Sequence, residues 1–168
     1  VWHGPEGLRR IARADLAGRA AIEFRDYRDL AGRSFDKIAS VGMVEHVGRE
    51  QLSAYFAAAY RALRPGGLFL NHGIAEQHNV KGYRVSGFIG NYVFPDADLL
   101  RIADMMRWAE RAGFEVRDVE NLREHYGRTL RAWLQNLESN REAAIAAAGE
   151  RTYRIWRLYL AGSAQGFT

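Results

Sequence analysis

Cysteine is absent from the 168 residues. The chain therefore forms no disulfide, no thiolate zinc site and no cysteine nucleophile of its own. Lysine is nearly absent as well: of 24 basic residues, all but Lys37 and Lys81 are arginine. No long basic run occurs and no basic stripe alternates with aromatics, so nothing marks a nucleic-acid surface. No apolar run approaches the roughly 18–20 residues that span a bilayer. The opening VWHGPEGLRR has no apolar stretch of the secretory kind. Nor does a GxGxxG-like stretch stand where a strand would pass into a helix.

What is present reads as one domain, residues 1–168, long enough to bury a real core. Apolar residues make up 48% and charged residues 26%, with a mean hydropathy of −0.34, ordinary for a soluble protein. Net charge is +4 and the pI about 9.6. A basic balance suits an acidic partner such as a phospholipid surface or an anionic metabolite. Arginines spread this evenly also make an ordinary solvated surface. The lack of cysteine agrees with a cytoplasmic location.

Residues 5–17 have helical spacing, with Leu8, Ile11, Ala12 and Leu16 on one face. AAIEF (20–24) reads as a short strand, DYRDLAGRS (26–34) as a loop and FDKIASVG (35–42) as a buried strand. The clearest helix is 49–67, with a stripe of Leu52, Phe56, Ala59, Tyr60 and Leu63, stopped by Pro65-Gly66-Gly67. GLFLNHGIA (67–75) is the next strand. Residues 76–100 have no clean period but are rich in aromatics and glycine. A segment that long and irregular is usually functional or disordered, and its aromatics argue for order. A helix over 96–114, a strand over 115–122 and two long helical stretches complete the chain. Strand, helix, strand, helix, strand is the order of an α/β layered domain with a largely parallel sheet.

In such sheets ligands bind beyond the carboxyl ends of the strands. Strands 35–42 and 67–72, joined by one helical crossover, are expected to be parallel neighbours. Glu45 and His46 then lie just past one strand end and His72 ends the other, one strand spacing (about 5 Å) away. A carboxylate beside an imidazole can orient it, raise its basicity and hold a small polar species. The alternative is structural: Glu45 caps the next segment and His72 is a hydrogen-bonded core histidine. His78 is close in sequence, but the spacing matches no standard metal pattern. Pattern alone leaves SVGMVEHVG (40–48) as either a turn or a site.

DYRDL (26–30), FDKIASVGMVEHVG (35–48), LRPGGLFLNHGIA (63–75), FIGNYVFPDADL (88–99), HYGRTLRAW (125–133) and RTYRIWRLYLAGSAQGF (151–167) occur in this order. Together they resemble the cyclopropane-fatty-acyl-phospholipid synthase family, which includes the mycolic acid cyclopropane synthases, from about residue 8 onward. The resemblance implies a Rossmann-like class I methyltransferase sheet with a helical insertion near the C-terminus. It implies methyl transfer from S-adenosylmethionine to the cis double bond of a phospholipid acyl chain at the inner face of the membrane. A bound bicarbonate then removes a proton to close the ring. Carried over by motif, the residues that would hold bicarbonate are Glu45, His72, the backbone of Ile74, and Tyr126. The family's threonine between the histidine and the isoleucine is Gly73 here. Asp26, Tyr27, Val41 and Gly42 are the expected cofactor-binding positions. The aromatics of 83–94, Tyr126 and Trp133 would wall the acyl chain, while Trp108 and Trp156 are read as core. A homodimer is a candidate assembly.

The resemblance is incomplete. The family's D-x-G-x-G-x-G cofactor loop and its first two strands have no counterpart here, and the last strand is not reached. The expected sheet therefore lacks strands at its centre, and Ile38, Ala39 and Val41 lose packing partners. Two other readings stay open: a related acyl-chain or small-molecule N-methyltransferase, and a truncated, non-catalytic module that binds lipid or a partner subunit. The isolated chain is expected to bind S-adenosylmethionine weakly or not at all. Calorimetric titration reads this directly, and micromolar binding would contradict it.

Overall fold

The computed structural model describes residues 4–76, 87–95 and 97–167. Its organising unit is the pair of strands anticipated above. The apolar run FDKIASV forms β1 (Phe35–Val41), and β2 (Leu63–His72) lies parallel to it. Between them runs the crossover helix α2 (Leu52–Ala62), which buries Leu52, Tyr55, Phe56, Ala58, Ala59 and Ala62 along one face. Tyr60 lies outside that buried stripe, 47% exposed, with its ring edge-on to Phe114.

Pro65-Gly66-Gly67 does not cap this helix. The helix ends at Ala62, and the three residues lie inside β2. Phe35 pairs with Leu63 but Lys37 pairs with Leu68, so residues 64–67 bulge opposite Asp36 alone. Proline, which has no N–H for the ladder, is tolerated at such a bulge, and Gly66 takes the left-handed backbone there (φ +78°).

A second small parallel pair joins β3 (Ala75–Glu76) to β4 (Leu100–Arg101), and β4 leads into α4 (Ile102–Ala112). Val44, Leu52, Tyr55, Phe56 and Leu100 form one buried cluster, surrounded by Phe69, Met105, Trp108 and Phe114 among others. The remaining helices are α1 (Gly4–Arg13), α3 (Gly87–Tyr92), α5 (Arg123–Ser139), α6 (Arg141–Ala148) and α7 (Glu150–Gly166). Helices α5 and α7 pack around a second cluster of Leu130, Tyr159, Leu160 and Ala164. Trp108 packs against the first cluster as expected. Trp156, expected in the core, is 37% exposed: it stands edge-on between Phe94 and Tyr159 at the margin of the second. No helix among the described residues is long and apolar enough to cross a membrane.

Two expected strands are not formed. Residues 20–24 and 115–122 have no regular structure, and Phe24 is 84% exposed. Neither pairs with β1 or β2, which form a two-stranded sheet among the described residues. The helix expected over 96–114 starts at Ile102, because residues 100–101 pair as β4 instead. His78 and Tyr83 lie outside the described residues.

One face of the β1–β2 sheet packs on α2 through Phe69; the other does not pack. Val41 is 66%, Leu68 55% and Leu70 59% exposed on it. Parallel sheets are ordinarily covered on both faces. The loss of packing partners expected for Ala39 and Val41 is seen directly, since both are exposed, while Ile38 is half-buried.

Candidate active site

The stretch after β1 forms a tight turn between two glycines in the left-handed region, Gly42 (φ +65°) and Gly48 (φ +78°). An added Cβ would touch nothing at either position, so the backbone conformation is what calls for glycine. Between them, residues Val44–His46 make a single 3-10 turn. It turns Val44 and Glu45 inward and leaves His46 exposed. Glu45 is only 7% exposed, the one buried charged side chain among the described residues.

A buried carboxylate must be held by dipoles, because its desolvation costs several kcal/mol. Glu45 Oε1 accepts the Ile74 N–H at 2.8 Å. Its own carbonyl accepts the Asp98 N–H at 2.9 Å, tying the turn to the segment before β4. Arg49 braces the same junction, donating to the Leu99 carbonyl at 2.8 Å and pairing with Asp98 at 3.1 Å. Glu45 Oε2 is buried but has no hydrogen-bond partner among the described residues. It lies against Gly73, where an added Cβ would sit 3.1 Å from Oε2 and 2.5 Å from Val44 Cγ1. Glycine at this position thus leaves the space that the carboxylate occupies.

Tyr126, on the first turn of α5, packs against the second cluster. Its hydroxyl is pushed up to about 12, first by burial, then by the charge and hydroxyl of Tyr159, and last by the charge of Glu45. Tyr159 is itself raised by burial, with the Ser163 and Tyr126 hydroxyls pulling the other way. Phe94 bridges the two regions, its ring 6.3 Å from His46 and 5.7 Å from Tyr159.

Residues 6–168 match the family model of mycolic acid cyclopropane synthetase. The chain belongs to that family. It is 44% identical over 166 residues to a protein of Pseudomonas putida named "Probable fatty acid methyltransferase", covering 96% of this chain and 42% of the relative. A protein of Mycobacterium tuberculosis with a similar name is 37% identical over 161 residues, covering 96% and 38%. The crystal structure of mycolic acid cyclopropane synthase CmaA1 complexed with SAH and CTAB superposes with a TM-score of 0.87 at 28% identity, covering 98% of this chain and 61% of that one. The chain thus spans about two fifths of the curated relatives it matches. The incomplete α/β sheet and the helical C-terminal region both fall within this shared fold.

Of the residues assigned by family resemblance, the structure joins Glu45 directly to Ile74 and sets Tyr126 within reach of Glu45's charge. His72 is placed differently. Its backbone pairs with Val41, and its carbonyl accepts the Gly42 N–H at 2.9 Å. Its side chain is exposed on the uncovered sheet face and meets no hydrogen-bond partner among the described residues. Val41 and Gly42 sit at the same strand end, also exposed. Asp26 and Tyr27 line a separate cavity of about 280 Å³ with Arg28, Met43, His46, Val47 and Gln51. The Arg28 guanidinium holds the Asp26 carboxyl down to about 2. Tyr27 stacks edge-on against Tyr55, whose hydroxyl donates to Asn71 at 2.7 Å. No group of three or more His, Asp and Glu capable of holding a metal is found among the described residues.

Sequence reasoning missed Tyr159. The signal was available: Tyr159 lies three residues from Trp156 and one from Leu160, on the inward face of an obviously helical stretch.

The raised Tyr126 hydroxyl has a pH consequence. The folded state keeps its proton up to about pH 12, whereas an unfolded tyrosine releases it near pH 10. Stability from this group is therefore complete below pH 10 and lost as pH rises toward 12. Urea unfolding across that window should show a steeper loss for the native chain than for Tyr126→Phe. Equal losses would contradict the assignment.

Proposed function

We propose that this chain carries the proton-handling part of an S-adenosylmethionine-dependent lipid methyltransferase, which methylates the cis double bond of a phospholipid acyl chain at the membrane surface and closes it to a cyclopropane. The observation that carries this reading is the Glu45 carboxylate, buried, fixed through one oxygen by Ile74 and open at the other. Such an acceptor suits a small species with its own O–H to donate, which bicarbonate has. Tyr126, whose hydroxyl keeps its proton well above physiological pH, is near enough to Glu45 for that charge to help raise it. The cavity at Asp26 and Tyr27 is just below the usual range for a whole ligand and suits the nucleoside portion of the cofactor. When bound, S-adenosylmethionine would supply the methyl group and bicarbonate the basic oxygen.

The chain's own residues then have definite tasks. Glu45 and Tyr126 orient the base by one accepted and one donated hydrogen bond. Methylation of an alkene leaves positive charge on the acyl chain, and water there would trap it as an alcohol. The aromatic shell of Phe94, Trp156 and Tyr159 excludes that water and offers ring faces to the cation. His72 joins the set only in an assembly that covers the exposed sheet face.

The names of the relatives from P. putida and M. tuberculosis favour a second reading, methylation of an acyl chain without ring closure. The two differ in which proton leaves: one from the added methyl closes the ring, one from the chain leaves an alkene. A chimera in which this chain replaces the matching segment of the P. putida relative tests both. With S-adenosylmethionine and unsaturated phospholipid vesicles, the expected product gains one CH₂ and loses its double bond. Glu45→Gln in the same chimera should lower kcat about a hundredfold or more. A product that keeps its double bond, or methylation of an amine, would overturn ring closure.

A further inference from the structure

Helices α3 and α7 border an open groove of about 460 Å³ that none of the roles above uses. Its floor is apolar: Phe88 from α3, with Ile155 and Leu158 from α7. Leu158 is 60% exposed, and Tyr92, at the end of α3, is 52% exposed. Its rim is charged by Glu150, Arg151 and Arg154. Glu150 is already engaged, accepting from Arg154 at 2.7 Å. Arg151 forms no ion pair among the described residues; its guanidinium lies over the Tyr92 ring, 5.9 Å from the centroid. The groove therefore presents one uncompensated positive charge beside exposed aliphatic and aromatic surface. On α7 these residues fall at 150, 151, 154, 155 and 158, the spacing of a single helix face.

We propose that this groove is where the protein docks on an anionic phospholipid surface, a reading that rests on the lipid substrate class proposed above. Leu158, Phe88 and Tyr92 enter the interfacial layer, while Arg151 meets lipid phosphate with its stem along the apolar floor. The charge on offer is complementary to such a surface, and the chain as a whole is positive, at +4. The groove also shares helix α7 with the aromatic shell. Trp156 and Tyr159 alternate with Ile155 and Leu158 along α7, and both rings pack on Phe94, which reaches His46 beside Glu45. A lipid held at the groove thus lies next to the aromatic shell that leads to the buried carboxylate.

The test is vesicle flotation of the chain without cofactor. The vesicles are dipalmitoyl phosphatidylcholine, with or without about a third dipalmitoyl phosphatidylglycerol. Saturated chains keep docking separate from methyl transfer. The expected result is binding to the glycerol-headgroup vesicles that weakens as salt is raised. The double variant Arg151→Glu, Leu158→Asp should bind about tenfold or more weakly. Both side chains are exposed, so the fold is retained, which circular dichroism verifies. Leu70→Asp, on the uncovered sheet face, should bind as the native chain does. Failure to bind, equal binding by the double variant, or loss of binding in Leu70→Asp instead would overturn the proposal. So would a double variant that changes only the sedimentation state, which would make the groove a contact between copies. If docking fails while the chimera still modifies phospholipid, the groove assignment falls and the lipid reading stands.

Discussion

A carboxylate taken out of water and held by a single backbone N–H is the constraint around which this structure is arranged. Glu45 is buried because Gly42 and Gly48 allow a turn that other residues would strain. Ile74, two residues past the end of β2, aims its N–H at one of the Glu45 carboxylate oxygens. That aim depends on the β1–β2 register, since Val41 opposite His72 sets the two strand ends side by side. It depends also on Gly73, where a side chain would press on Val44 and the carboxylate. Arg49 and the Asp98 N–H fix the turn to the next pair of strands. The second oxygen is buried and has no hydrogen-bond partner among the described residues.

The two halves of the molecule are unequal in how they are finished. Around α5 and α7 the packing closes on itself, with Leu130 fully buried and a run of edge-on aromatic contacts from Phe94 to Tyr159. Around β1 and β2 it does not. Leu68, Leu70 and Val41 stand in solvent on the face that also carries His72. The Glu45 turn and the aromatic shell are thus packed within the chain, while Tyr27 borders a small cavity of about 280 Å³.

Much of this was legible in the residues. The run 35–42 announced β1 to within one residue, and the crossover rule placed β2 beside it in parallel. Helical periodicity located the helices on either side of Gly149, though not the break at Asn140 that separates α5 from α6. Glu45 could be singled out only by its position past a strand end; family resemblance chose it over His46, and the structure buries Glu45 while leaving His46 exposed. What failed did so for physical reasons. The β-patterns at 20–24 and 115–122 pair with no strand among the described residues, which the alternation of side chains alone does not reveal. Pro65-Gly66-Gly67 suits a helix stop and a bulge equally well, and only the pairing register separates them. The Tyr126–Tyr159 partnership joins two helices far apart in sequence, which periodicity along either one does not reveal.

The most direct test of the central interaction is the amide resonance and hydrogen exchange of Ile74, compared between the native chain and Glu45→Gln. A charge-assisted bond is about twice as strong as a neutral one. The Ile74 amide should therefore lie far downfield and exchange slowly in the native chain, then move upfield and exchange faster in the variant. An Ile74 amide unchanged by that substitution would contradict the buried carboxylate as the organising contact.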